Sequence, residues 1–116
     1  KGSVLSYANE IKENILHVSS DDLQTYGAVS QQVVEAMAVN VRELMQTDFA
    51  LATSGIAGPD GGSPEKPVGT VWIAVATPDG VRSECFHFGN AGGRLRMGYR
   101  SAVRAYNMLR QYLQNR

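Results

Sequence analysis

Phe49-Ala50-Leu51-Ala52-Thr53-Ser54-Gly55-Ile56-Ala57-Gly58-Pro59-Asp60-Gly61-Gly62-Ser63-Pro64-Glu65-Lys66-Pro67-Val68-Gly69-Thr70-Val71-Trp72-Ile73-Ala74-Val75 sets the architecture of this 116-residue chain. The apolar runs at either end have the composition of strands. Between them, Thr53 to Thr70 holds Gly55, Gly58, Gly61, Gly62 and Gly69, with Pro59, Pro64 and Pro67 interleaved. Glycine opens backbone angles closed to other residues and lets a ligand approach the chain, while proline fixes the rest of the path. A connection this long is uncommon inside a domain unless it binds something or is disordered. Alternating Gly and Pro favour a shaped binding loop, with a bland surface excursion as the alternative.

Outward from that loop, the element order follows from pattern. Gly2 to Tyr7 reads as a strand, and Asn9 to Leu16 as a short amphipathic helix with Ile11, Ile15 and Leu16 on one face. Ser20 with Asp21 and Asp22 opens a second short helix, which Gly27 stops after Tyr26. Ser30 is the expected N-cap of a longer helix, Gln31 to Gln46, with Val33, Val34, Met37, Val41, Leu44 and Met45 as its stripe. Asp48 to Ser54 is nearly all apolar, which suits a strand covered on both faces. Thr70 to Thr77 and Val81 to Phe88 flank Thr77-Pro78-Asp79-Gly80 and should form an antiparallel hairpin with Phe86 and Phe88 on its buried face. A last helix from Arg94 to Leu113 places Leu95, Tyr99, Ala102, Val103, Tyr106, Leu109 and Leu113 on one side. The order β-α-α-α-β-loop-β-β-α argues for one α/β domain over residues 1–116, with helices packed on a mixed sheet that includes a parallel pair near the front.

Composition excludes several classes. Hydrophobic content of 43% and charged content of 19% are those of an ordinary globular domain. Eleven basic residues balance eleven acidic ones, so no net charge draws the chain to nucleic acid or a membrane surface. No apolar run is long enough to span a bilayer. Cys85, the single cysteine, builds neither an intrachain disulfide nor a metal cluster, which fits a cytoplasmic location. His17 and His87 lack ligand-spaced neighbours and read as structural, so no metal site is expected.

Three groups carry possible chemistry. Tyr7 closes a strand and Lys12 follows it by about a turn and a half of helix, so the two side chains can converge at a strand end. A lysine beside a phenol can act as a base or activate a hydroxyl. Spacing alone leaves the simpler reading open, a solvated lysine and a half-buried tyrosine. In the glycine loop, the N–H groups of Ser54, Gly55, Ile56, Ala57 and Gly58 can form a nest for a phosphate or an oxyanion. The loop is not a P-loop, because Lys66 is followed by Pro67 and opens no helix. Of Arg94, Arg96, Arg100 and Arg104 on the last helix, one or two can clamp a phosphate, or the set can simply face solvent.

Four blocks then point to a family. Tyr7-Ala8-Asn9-Glu10-Ile11-Lys12, Tyr26-Gly27-Ala28-Val29-Ser30, Ser54-Gly55-Ile56-Ala57-Gly58-Pro59-Asp60-Gly61-Gly62 and Glu65-Lys66-Pro67-Val68-Gly69-Thr70-Val71 resemble the C-terminal domain of the competence/damage-inducible CinA proteins, whose stand-alone relatives are nicotinamide-nucleotide amidases. The resemblance implies a three-layer α/β/α sandwich with a mixed, mostly parallel sheet. It implies hydrolysis of nicotinamide mononucleotide to nicotinic acid mononucleotide and ammonia, in bacterial pyridine nucleotide recycling, with no cofactor. Tyr7 and Lys12 match the family's tyrosine and lysine. Asn9, the Ser54–Gly58 loop and one of Arg94, Arg96 or Arg100 would line the substrate pocket. The implied partners are a small nucleotide and further copies of the same chain.

One departure stands out. The family's serine nucleophile lies in an E-S-x-T-G-G motif on a strand-helix unit before the strand at Gly2, and residues 1–116 contain no such motif. With Lys1 rather than Met in front, the expectation is a chain lacking its first strand-helix unit and inactive as it stands. The rival expectation is a non-catalytic nucleotide-binding or protein-interaction module linked to competence or DNA damage.

Overall fold

The computed structural model describes residues 18–56, 63, 64, 66–89 and 93–114, with the backbone alone for 93–98. Its elements are α1 (Ser20–Tyr26), α2 (Gln31–Met45), β1 (Ala50–Gly55), β2 (Thr70–Thr77), β3 (Gly80–His87) and α3 (Gly93–Gln114). Each boundary has a local cause. Ser19, one residue before the expected start, caps α1 by accepting from Asp22 N–H at 3.4 Å, and Asp21 and Asp22 favour the positive end of the helix. Gly27, at φ 80°, ends α1. Ser30 caps α2 as expected, accepting from Val33 N–H at 3.3 Å while its own hydroxyl donates to Gly27 O at 2.8 Å. Gln46 turns left-handed at φ 53° and closes α2, leaving the chain to enter β1.

The sheet corrects the expectation of a mostly parallel one. Among the described residues its order is β1-β2-β3, and both pairings are antiparallel. Loops reverse the chain between these strands, so no crossover helix is needed. The strand expected at 2–7, which would have supplied the parallel pair, lies outside the described residues, as does the helix expected at 9–16.

Which strand is covered on both faces also differs from expectation. β1 alternates buried and exposed, with Leu51 on its open face: α2 packs on its other side, whereas α3 packs on β2. β2 in the middle is buried almost throughout. Its even residues Ala74 and Ala76 join Ala50, Ala52 and the α2 side chains Val33, Val34, Met37 and Ala38 in one cluster. Its odd residues Val71 and Ile73 join Ala105 of α3, with Phe86, Phe88 and Met108 against them. Val33, Val34, Ile73 and Val71 are fully buried, each contributing about 1.5–3 kcal/mol of transfer free energy. Phe86 and Phe88 share that side, their rings stacked 5.7 Å apart.

In α3 the expected buried stripe faces the wrong way. Tyr99 (73%), Tyr106 (65%), Val103 and Leu113 are exposed, and Ser101 and Ala105 are buried. Small side chains let the helix backbone approach β2 closely, and Met108 continues the row.

Candidate functional site

The glycine loop leaves from the end of β1 and returns into β2. Ser54 and Gly55 still belong to β1, opposite Trp72 and Val71. The neck beyond them is held by Ile56 N–H donating to Thr70 O at 2.9 Å and Gly69 N–H donating to Ile56 O at 2.7 Å. The Ile56 N–H, expected in an anion nest, is therefore engaged within the loop itself. Ala57 and Gly58 lie outside the described residues. Gly69 is confined further. At φ +94°, a Cβ there would stand 2.2 Å from the Gly89 carbonyl oxygen, and its own carbonyl accepts from Phe88 N–H at 2.9 Å.

From Phe88 the network reaches α3, where Arg100 Nη1 donates to Phe88 O at 3.1 Å. Of the three arginines that the family resemblance allows, Arg100 is thus bonded at the exit of β3. Arg94 and Arg96 stand at the start of α3, with side chains outside the described set. Tyr7, Asn9 and Lys12 also lie outside it.

On the α2 side of the same sheet end, one row of β-register brings together residues that periodicity alone treats as filler. Trp72 lies opposite Cys85, and Thr70 opposite His87. The Thr70 hydroxyl donates to Pro67 O at 2.6 Å and stands 3.5 Å from His87 Nδ1, while Cys85 Sγ lies 3.9 Å from His87 Nε2. Burial pushes the Cys85 thiol above its ordinary pKa, and the nearby Lys66 ammonium pulls it part of the way back. Lys66 itself crosses from the loop to donate to the Tyr26 carbonyl. His87, Thr70 and Lys66 were not expected at the site. The signal was available in the hairpin register, which puts positions 70 and 87 side by side once Thr77-Pro78-Asp79-Gly80 is read as the turn.

A cleft of about 480 Å³ opens elsewhere, along the hairpin half of β3 and away from Ser54–Ile56. Two of the three carboxylates that line it are hydrogen-bonded within the protein: Glu35 accepts from the Ser83 hydroxyl and Asp79 from the Tyr112 hydroxyl. No group of three metal-ligating side chains occurs among the described residues. Nor is any helix among them long and apolar enough to cross a membrane.

Three of the four sequence blocks therefore meet physically. Tyr26 is bonded to Lys66, Ile56 to Gly69 and Thr70, and Gly69 to the exit of β3. The chain is 45% identical over 113 residues to a putative competence-damage inducible protein of Caldanaerobacter subterraneus, covering 97% of this chain and 27% of that protein. It is 51% identical over 110 residues to a CinA-like protein of Shewanella amazonensis, covering 95% of this chain and 26% of that one. The chain thus spans about a quarter of the length of these relatives. Among solved structures, the competence/damage inducible protein CihA of Agrobacterium tumefaciens superposes with a TM-score of 0.85 at 38% identity, covering 90% of this chain and 63% of that chain. With the CinA C-terminal domain model matching residues 1–113 as well, the chain belongs to the CinA C-terminal domain family.

Proposed function

We propose that this domain is the amidase part of a bacterial protein that hydrolyses the carboxamide of nicotinamide mononucleotide. The observation that carries the reading is the convergence of Tyr26–Gly27, Ile56 and Lys66–Thr70 at one end of the sheet, where Phe88, bonded to Gly69, also accepts from Arg100. In the mechanism we infer, a serine outside residues 1–116 attacks the carboxamide carbon, and Lys12 accepts its proton with Tyr7 relaying. Backbone N–H groups hold the oxyanion of the tetrahedral intermediate. Cleavage of the C–N bond releases ammonia, with the proton returned by the Lys12–Tyr7 pair. Water then splits the acyl-serine ester to give nicotinic acid mononucleotide. Asn9 and the loop from Ser54 to Gly58 are proposed to line the pocket, and Arg100, whose Nη1 donates to Phe88 O at the exit of β3, is the arginine proposed for phosphate. The whole domain is proposed to be a three-layer α/β/α sandwich, completed by the strand expected at 2–7, and to act in the cytoplasm as a homo-oligomer.

The test is ammonia release from nicotinamide mononucleotide by the intact protein. Lys12→Ala is expected to lower turnover by at least about a hundredfold, the usual scale of one general base, with circular dichroism unchanged. Undiminished turnover would end the assignment.

A further inference from the structure

Lys66 stands in the return arm of the glycine loop, inside a tight local turn. Ser63 N–H donates to its carbonyl at 2.9 Å, and its own N–H donates to Ser63 Oγ at 3.1 Å. Pro64 and Pro67 flank it and restrict the backbone further. Its side chain then leaves the loop, and Nζ donates to the carbonyl of Tyr26, the last residue of α1. The final carbonyls of a helix lack amide partners and carry partial negative charge, so an ammonium is favoured there. Gly27 leaves room for it: a Cβ at that position would stand 3.2 Å from Nζ. An ordinary surface lysine keeps its ammonium in water, whereas this one is aimed at a helix end forty positions away in sequence.

We propose that Lys66 is a positioning residue of the nucleotide pocket, pinning the return arm of the glycine loop to the α1–α2 corner so that the wall built on Ser54–Ile56 keeps one position. The proposal rests on the amidase reading. Because Ile56 is bonded to Gly69 and Thr70, three and four residues beyond Lys66, holding the arm holds the neck of the loop. Releasing the arm lets the wall move, which weakens binding of ground state and transition state alike.

In the intact protein, Lys66→Met keeps an unbranched apolar stem one atom shorter and removes the charge and donors, while Lys66→Arg keeps charge and donors. Lys66→Met is expected to raise KM for nicotinamide mononucleotide about tenfold with kcat within about twofold, the pattern of lost uniform binding. Lys66→Arg is expected to restore most of KM. An unchanged KM in Lys66→Met, or an arginine variant as poor as the methionine one, overturns the proposal. A second measurement is independent of turnover: the pH profile of Cys85 alkylation by iodoacetamide, read on the Cys85 peptide by mass spectrometry. Losing the ammonium should move its midpoint to higher pH in Lys66→Met and leave it in place in Lys66→Arg. Identical profiles overturn the placement. If the unsubstituted protein releases no ammonia, the amidase reading fails on its own. The Kd for nicotinamide mononucleotide then decides on Lys66, and an unchanged Kd in Lys66→Met overturns the proposal. No binding by the unsubstituted protein overturns both.

Discussion

Gly69 shows how narrowly one residue can be specified. Its φ of +94° is costly for any side chain, and the Gly89 backbone leaves no space for a Cβ. Gly69→Ala combines backbone strain with a backbone clash, each worth roughly 1–3 kcal/mol. It is therefore expected to destabilise the domain by about 2–4 kcal/mol, read as a lower urea midpoint at unchanged m-value. Gly80, also at positive φ, has nothing within 4 Å of a built Cβ and lacks the second of those costs. The glycine pattern made the loop legible in the sequence, but not this difference. Which glycine is pressed against Gly89 depends on a contact between residues 69 and 89, and local propensity contains no information on that pairing. The same holds for Lys66. The prolines around it favoured a shaped loop, yet its partner is a helix end that only the fold brings near.

At the scale of elements, caps and turns were readable because their causes are local. Ser30, Gly27 and Thr77-Pro78-Asp79-Gly80 act within a few residues of themselves, and the structure puts α2, the end of α1 and the hairpin where they indicate. The faces of α3 were not readable. A stripe of Tyr99, Val103 and Tyr106 looks like a core by size, but the sheet selects the row through Ser101, Ala105 and Met108 because small residues allow close approach. Sheet direction was readable where the turn is local, in the β2–β3 hairpin, but the expectation of a mostly parallel sheet did not foresee the antiparallel β1–β2 pair, because pairing direction is decided by what connects the strands. A pair of substitutions tests the α3 assignment. Ala105→Leu is expected to cost about 1–3 kcal/mol by overpacking against Val71 and Ile73, whereas Tyr106→Ala should stay within about 0.5 kcal/mol. Chemical denaturation of the two variants reads both values.

For the whole molecule, the loop end of the sheet gathers three of the four sequence blocks, while the cleft along β3 lies toward the hairpin. The family was legible because those blocks keep their order. The candidate site was legible only in part, since Thr70 and His87 are neighbours by strand register and Lys66 meets Tyr26 across the fold, neither of which spacing shows. The middle strand has a further effect on how damage spreads. β2 works as a party wall between two rooms, sending alternate side chains into each, so that a void opened behind one side has no shared lining with the other. Val33→Ala and Ile73→Ala should each cost about 2–4 kcal/mol, and the double variant should match their sum within about 0.5 kcal/mol in a double-mutant cycle. Evolution can then retune the room under α3 without disturbing the one under α2.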